Sequence, residues 1–176
     1  MFKQISVLPI DLATSAVTPA FATVLGEAAA VCLEKNDHIS GVLLSANGIS
    51  SETYKLEWDQ LYPAHHSTYS DLQDATELGA YGIALLVVMD LTGKTVIERS
   101  AKGGGFDWWI GDIDPSGLPF QGKTRLEVSG ILKDGGGSLA ARVREKKKQI
   151  DPSNSLGPGI VAVVEFGQPQ IRVEIP

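Results

Sequence analysis

The chain of 176 residues contains one cysteine, Cys32, so no intrachain disulfide can form and no cysteine-based metal motif has its ligands. Cys32 lies in the apolar run AAAVCL and reads as a small core residue rather than a reactive thiol. Long apolar runs are also missing. The longest, residues 78–89, falls short of the about 20 residues that cross a bilayer. The stretch after Lys3 is interrupted by Pro9 and Asp11, so no secretory signal is expected there. A cytoplasmic protein with no membrane association is expected. His65 and His66 have no carboxylate or cysteine at ligand spacing. The triple glycine at 103–105 lacks the following lysine-serine/threonine pair of a phosphate-binding loop. No supported Ser/His/Asp order and no nucleotide fingerprint appears.

Basic residues are scarce in the first half. Residues 1–93 carry three basic and eleven acidic side chains, whereas residues 94–150 carry eleven basic and seven acidic. The net charge of −6 argues against a general nucleic-acid binder. The basic middle segment, 94–150, is nonetheless compatible with local phosphate contact, or with a solvated lysine-rich helix face. Residues 1–93 have too little positive charge to meet nucleic acid; a second copy of the chain or a protein partner suits that N-terminal region better.

Hydrophobic residues at 43% and charged residues at 20% describe a globular chain able to bury a core without staples. Residues 2–10 read as a strand closed by Pro9. Thr18 and Pro19 start an alanine-rich helix reaching about Asn36, with Thr as the cap and Pro at the first helical position. HISGVLLSA and ETYKLEWDQL read as two strands with a turn at Asn47-Gly48. LYPAHHSTYS is a connector, and Ser70 with Gln73 forms a capping-box pattern for a helix over about 71–91 that stops near Gly93. Gly79, Ala80 and Gly82 give this helix a face that another backbone can approach. Three strands follow, TVIERSA, GFDWWIGD and TRLEVSGIL. The glycines at 135–137 then turn the chain into the helix SLAARVREKKKQI, and strands GIVAVVEF and QIRVEI close it. GIVAVVEF is apolar enough for a central strand buried on both faces. The predicted architecture is α/β, a mixed sheet flanked by helices, with an N-terminal β-α-β-β extension over residues 1–62 packed on a core of residues 63–176.

Two of these strands hold a carboxylate among apolar neighbours. Asp107 stands between Phe106 and Trp108, and Glu127 between Leu126 and Val128. Alternation puts Arg125, Glu127 and Ser129 on one face of their strand. A buried carboxylate is costly without a partner, and two on consecutive strands suggest a shared divalent cation. An ordinary charge ladder competes with that reading, Asp107 pairing with Arg99 or Arg125 for about 0.2–1 kcal/mol. Trp108 and Trp109 face opposite sides, one in the core and the other available for stacking.

This order of elements with these acids resembles the PD-(D/E)XK superfamily of restriction-endonuclease-like nucleases over roughly residues 67–166. The resemblance implies a Mg²⁺- or Mn²⁺-dependent nuclease, of a restriction or phage-defence type, with Glu77 as the helix glutamate and Asp107 and Glu127 as the strand acids holding metal. Where that family places a lysine, this chain has Ser129. Some members supply the lysine from the next helix. There Leu139, Val143 and Ile150 form the apolar stripe, with Arg142, Lys146 and Gln149 on one border and Lys147 on the other. Lys146, the nearest to the apolar face, is the expected substitute lysine with Gln149 as its orienting partner, and a rotation of the helix would favour Lys147 instead. Arg99, Lys102, Lys123 and Arg125 would contact the nucleic-acid backbone. The departure at Ser129 keeps open a catalytically inactive binding or assembly protein of the same fold.

Overall fold

Thr18 and Pro19 start the first helix as the sequence predicts. The computed structural model describes residues 1–12, 15–112, 122–135 and 137–176. Strand β1 (Lys3–Leu8) precedes helix α1 (Pro19–Glu34), where the Thr18 hydroxyl accepts from the Phe21 amide and Pro19 needs no partner for a missing N–H. Strands β2 (Val42–Gly48) and β3 (Glu52–Trp58) follow as an antiparallel pair. The turn lies at residues 49–51 rather than at Asn47-Gly48. Asn47 and Gly48 extend β2 because they pair with Arg172 and Val173 of a distant strand, and a Cβ on Gly48 would stand 1.9 Å from the Val173 carbonyl oxygen. Local turn propensity yields here to non-local pairing.

The connector contains a short helix, α2 (Pro63–Thr68), before the long α3 (Leu72–Thr92). Asp71, not Ser70, caps α3, its carboxylate accepting from the Gln73 and Asp74 amides. A carboxylate at this end also meets the positive pole of the helix dipole, an advantage a serine hydroxyl lacks. Gly93 ends the helix in the left-handed conformation (φ 68°). α3 has the length and composition of a membrane span, yet most of it is buried within the fold. Its glycines make that burial possible. A Cβ on Gly79 would lie 2.9 Å from the Ala29 backbone, and one on Gly82 3.0 Å from the Leu25 carbonyl oxygen, so α1 and α3 meet backbone to backbone.

Strands β4 (Thr95–Arg99), β5 (Trp108–Gly111) and β6 (Thr124–Ile131) run antiparallel in sequence. Helix α4 (Ser138–Ile150) then crosses over to β7 (Gly159–Glu165), which lies parallel to β6, and β8 (Gln170–Glu174) returns antiparallel. Gly137 (φ 93°) leads into α4 as the glycine turn predicts; Gly136 lies outside the described residues. The strands form one mixed sheet of eight in the order β1-β3-β2-β8-β7-β6-β5-β4. The N-terminal elements therefore continue the sheet itself, joined through β2 and β8.

Helices α1 and α3 cover one face, and α4 covers part of the other. β7 shows the division: Ile160, Ala162 and Val164 join the core under α1 and α3, while Val161 and Val163 meet Val143 and Ile150 of α4. Burial of Val143 and Ile150, worth roughly 1.5–3 kcal/mol each, fixes the rotation of α4 about its axis. That rotation decides which of its charged residues face the sheet.

Candidate active site

In β6, Leu126 and Val128 enter the core beneath α1 and α3, so Arg125, Glu127 and Ser129 face the α4 side. Glu127 is 2% exposed. Its Oε1 accepts from the Lys146 ammonium at 2.7 Å, and Lys146 also donates to Oε1 of Gln149 at 2.8 Å. Lys147 lies on the opposite border of α4 and pairs with Glu174 at 2.7 Å, and Lys148 is exposed. The second oxygen of Glu127, Oε2, is buried with no hydrogen-bond partner among the described residues. A buried acceptor left in this state is unfavourable by roughly 1–3 kcal/mol or more for a charged group. A proton or a cation would satisfy it.

Asp107 reaches the same place from the neighbouring strand. It stands just ahead of β5 rather than inside it, because Gly103 and Gly105 adopt positive φ (90° and 79°) and bend the chain before the ladder begins. Its backbone still pairs, the amide donating to the Leu126 carbonyl at 2.9 Å. Its side chain is held from two sides. Oδ2 accepts from the Val128 amide at 2.7 Å, and Oδ1 lies 2.9 Å from the Tyr81 hydroxyl of α3. That hydroxyl is also 3.1 Å from Oε1 of Glu77, one helical turn earlier. One phenolic proton thus faces two carboxylates and serves one at a time.

Asp107, Glu127, Glu77, Lys146 and Gln149 line a single cavity of about 510 Å³, together with Tyr81, Ser129 and Arg142. Burial, and next the nearby Asp107 carboxylate, push the Glu127 carboxyl up to about 7, against the opposing pull of Lys146. Burial and both carboxylates raise Tyr81 well beyond the ordinary phenol range, so it remains a proton donor.

Several sequence expectations fall elsewhere. Arg125 is 1% exposed and does not reach a backbone phosphate. Its guanidinium donates to the carbonyls of Ile150 (2.7 Å) and Gly157 (3.0 Å), to Asn154 Oδ1 (2.7 Å) and to the Ser153 hydroxyl. It is a structural clasp for the 3₁₀ turn Asp151–Leu156 that follows α4. Arg99 spreads over the rings of Phe21, Trp108 and Tyr81 at 5.4, 5.6 and 5.9 Å instead of pairing with Asp107. Neither tryptophan is a free stacking platform: Trp108 is buried, and Trp109 packs edge-on against Phe106 with centroids 4.8 Å apart. His65 and His66 meet the α1 carboxylates of Glu27 and Glu34 at 3.5 and 3.2 Å, a pairing invisible in local spacing. Residues 113–121 of the basic segment lie outside the described residues.

Tyr81 is a site residue that local sequence pattern does not disclose. It sits within an apolar run and reads as core, although its spacing of four from Glu77 places both on one helix face. Among the described residues no set of three or more His, Cys, Asp or Glu side chains surrounds a common metal position. Two adjacent carboxylates remain, and the donor set is all oxygen. Mg²⁺ is commonly held by one or two carboxylates, with waters and substrate phosphates completing its shell, so this donor chemistry suits it. The chain matches no protein-family model, no curated protein and no solved structure.

Proposed function

We propose that this protein is a Mg²⁺- or Mn²⁺-dependent nuclease with a restriction-endonuclease-like core. The element order supports that core: α3, then three antiparallel strands, a crossover helix, and a parallel strand beside the third. One observation carries the functional reading. Asp107 and Glu127 come from neighbouring strands to one cavity, Lys146 reaches it from the helix behind, and Glu127 Oε2 is buried with no donor among the described residues.

Asp107 and Glu127 would hold the cation, and Glu77 would join them directly or through water. Bound there, a divalent cation supplies polarisation of a phosphoryl oxygen and a more acidic water. The remaining work belongs to the chain. Lys146 compensates the buried charge of Glu127 and, held there, would stabilise negative charge as it develops in the transition state, the part that Ser129 cannot play. Gln149 fixes the direction of that ammonium. Tyr81 and the Val128 amide hold Asp107 in a single orientation before substrate arrives.

A catalytically silent binding or assembly protein is the second reading. It is favoured by Ser129 and by the exposure of Glu77, which leaves only two acids well placed. In that reading the acidic residues 1–93 meet a protein partner or a second copy. Incubation with supercoiled, linear and single-stranded nucleic acids in Mg²⁺ or Mn²⁺ separates the two. Cleavage that Asp107→Ala abolishes supports the nuclease. No cleavage of any substrate, or cleavage unchanged by Asp107→Ala, removes it.

A further inference from the structure

Two cationic side chains of α4, Arg142 and Lys146, line the cleft one helical turn apart. They are held very differently. Lys146 is 16% exposed, and its ammonium is engaged at 2.7 and 2.8 Å by Glu127 and Gln149. The Arg142 side chain is 42% exposed. Its Nη1 is 3.5 Å from the Ser129 hydroxyl, and its Nε is 3.5 Å from Oε2 of Glu145. Contacts of that length are weak, against about 2.9 Å for a well-formed N–H···O bond. A guanidinium has five donors in a planar fork that matches a pair of phosphate oxygens, so much of its capacity is unspent.

Charge balance points the same way. Glu77, Asp107 and Glu127 put three carboxylates around the cleft, and the charge of Lys146 is already matched by Glu127. A polyanion approaching this surface needs a cation that is not committed. Arg142 also stands over Ser129, the next β6 residue after Glu127 on the side that faces the cleft.

We propose that Arg142 grips a phosphate of the nucleic-acid backbone, while Lys146 stays with Glu127 as its counter-ion. This assignment rests on the nuclease reading above. It separates two duties: substrate affinity lies with Arg142, and integrity of the carboxylate pair with Lys146.

The test measures binding of fluorescein-labelled single- and double-stranded oligonucleotides in Ca²⁺, and their cleavage in Mn²⁺, for wild type, Arg142→Ala, Arg142→Lys and Lys146→Ala. Melting curves first establish that each variant is folded. Arg142→Ala is expected to weaken oligonucleotide binding about tenfold and to lower the slope of log affinity against log salt by about one. Arg142→Lys restores only part of the affinity, because a point charge replaces a fork. Lys146→Ala is expected to lose cleavage while lowering the salt slope by less than Arg142→Ala does, because its charge is already matched by Glu127. If wild type cleaves and Arg142→Ala binds with unchanged affinity and salt slope, the Arg142 assignment falls and the nuclease stands. If wild type neither binds nor cleaves, both fall.

Discussion

Gly130 of β6 and Thr76 of α3 approach so closely that a Cβ on Gly130 would stand 2.5 Å from the Thr76 carbonyl oxygen. This contact sets the height of α3 over the strand that carries Glu127, and α3 in turn delivers Glu77 and Tyr81. Gly130→Ala is therefore expected to lift α3 away and to cost about 1–3 kcal/mol, as overpacking does. Urea denaturation measures that loss. Because the displacement acts on Tyr81, the variant should also lose cleavage under conditions where it remains folded.

The buried carboxyl of Glu127 makes stability depend on pH in a defined sense. Its folded-state value, about 7, lies above the ordinary 4.5, so the folded protein binds a proton that the unfolded chain has already released. This contribution is fully present below pH 4.5 and is lost as pH rises to about 7, by no more than about 3 kcal/mol. Glu127→Gln should flatten that slope in urea titrations from pH 4.5 to 7.5. An unchanged slope would place the titration elsewhere.

Arg125 is expected to behave as a core residue despite its charge. Four hydrogen bonds tie it to Ile150, Ser153, Asn154 and Gly157. Arg125→Lys cannot reproduce the fork and should cost about 2–4 kcal/mol in thermal or urea unfolding. Its effect on nucleic-acid affinity should be no larger than that loss of folded protein explains.

Tyr81→Phe removes the only side-chain donor to Asp107 Oδ1 among the described residues, while the Val128 amide keeps hold of Oδ2. A partial effect follows. Stability should change by about 1 kcal/mol, and cleavage should fall by about tenfold rather than vanish. Melting curves and initial rates in Mn²⁺ check the two expectations separately.

The parts of this arrangement that the sequence made legible are those set by local periodicity. The apolar positions Leu139, Val143 and Ile150 give the bounds and the rotation of α4, and with them the inward direction of Lys146 over Lys147. The alternation around Glu127 gives its face, and the uninterrupted apolar run of β7 gives its central place in the sheet. What stayed hidden depends on partners far away in the chain. Asn47-Gly48 has turn propensity but stays in strand, because β8 extends β2. Arg125 looked available because alternation says which face a residue occupies, not that residues 150–157 fold over that face. Tyr81 carries no local signal of its role because its hydroxyl partner, Asp107, is 26 residues distant. The strand order across β2 and β8, which carries the N-terminal elements into the same sheet, has no local signal at all.

The most direct measurement is calorimetric titration of Mn²⁺ into the wild-type protein, Asp107→Asn and Glu127→Gln at pH 8, where the Glu127 carboxyl has lost its proton. The expected result is uptake of at least one ion per chain by wild type and loss of that uptake in each variant, with both still folded. Wild type taking up no ion, or either variant binding Mn²⁺ as wild type does, would contradict a cation held jointly by Asp107 and Glu127.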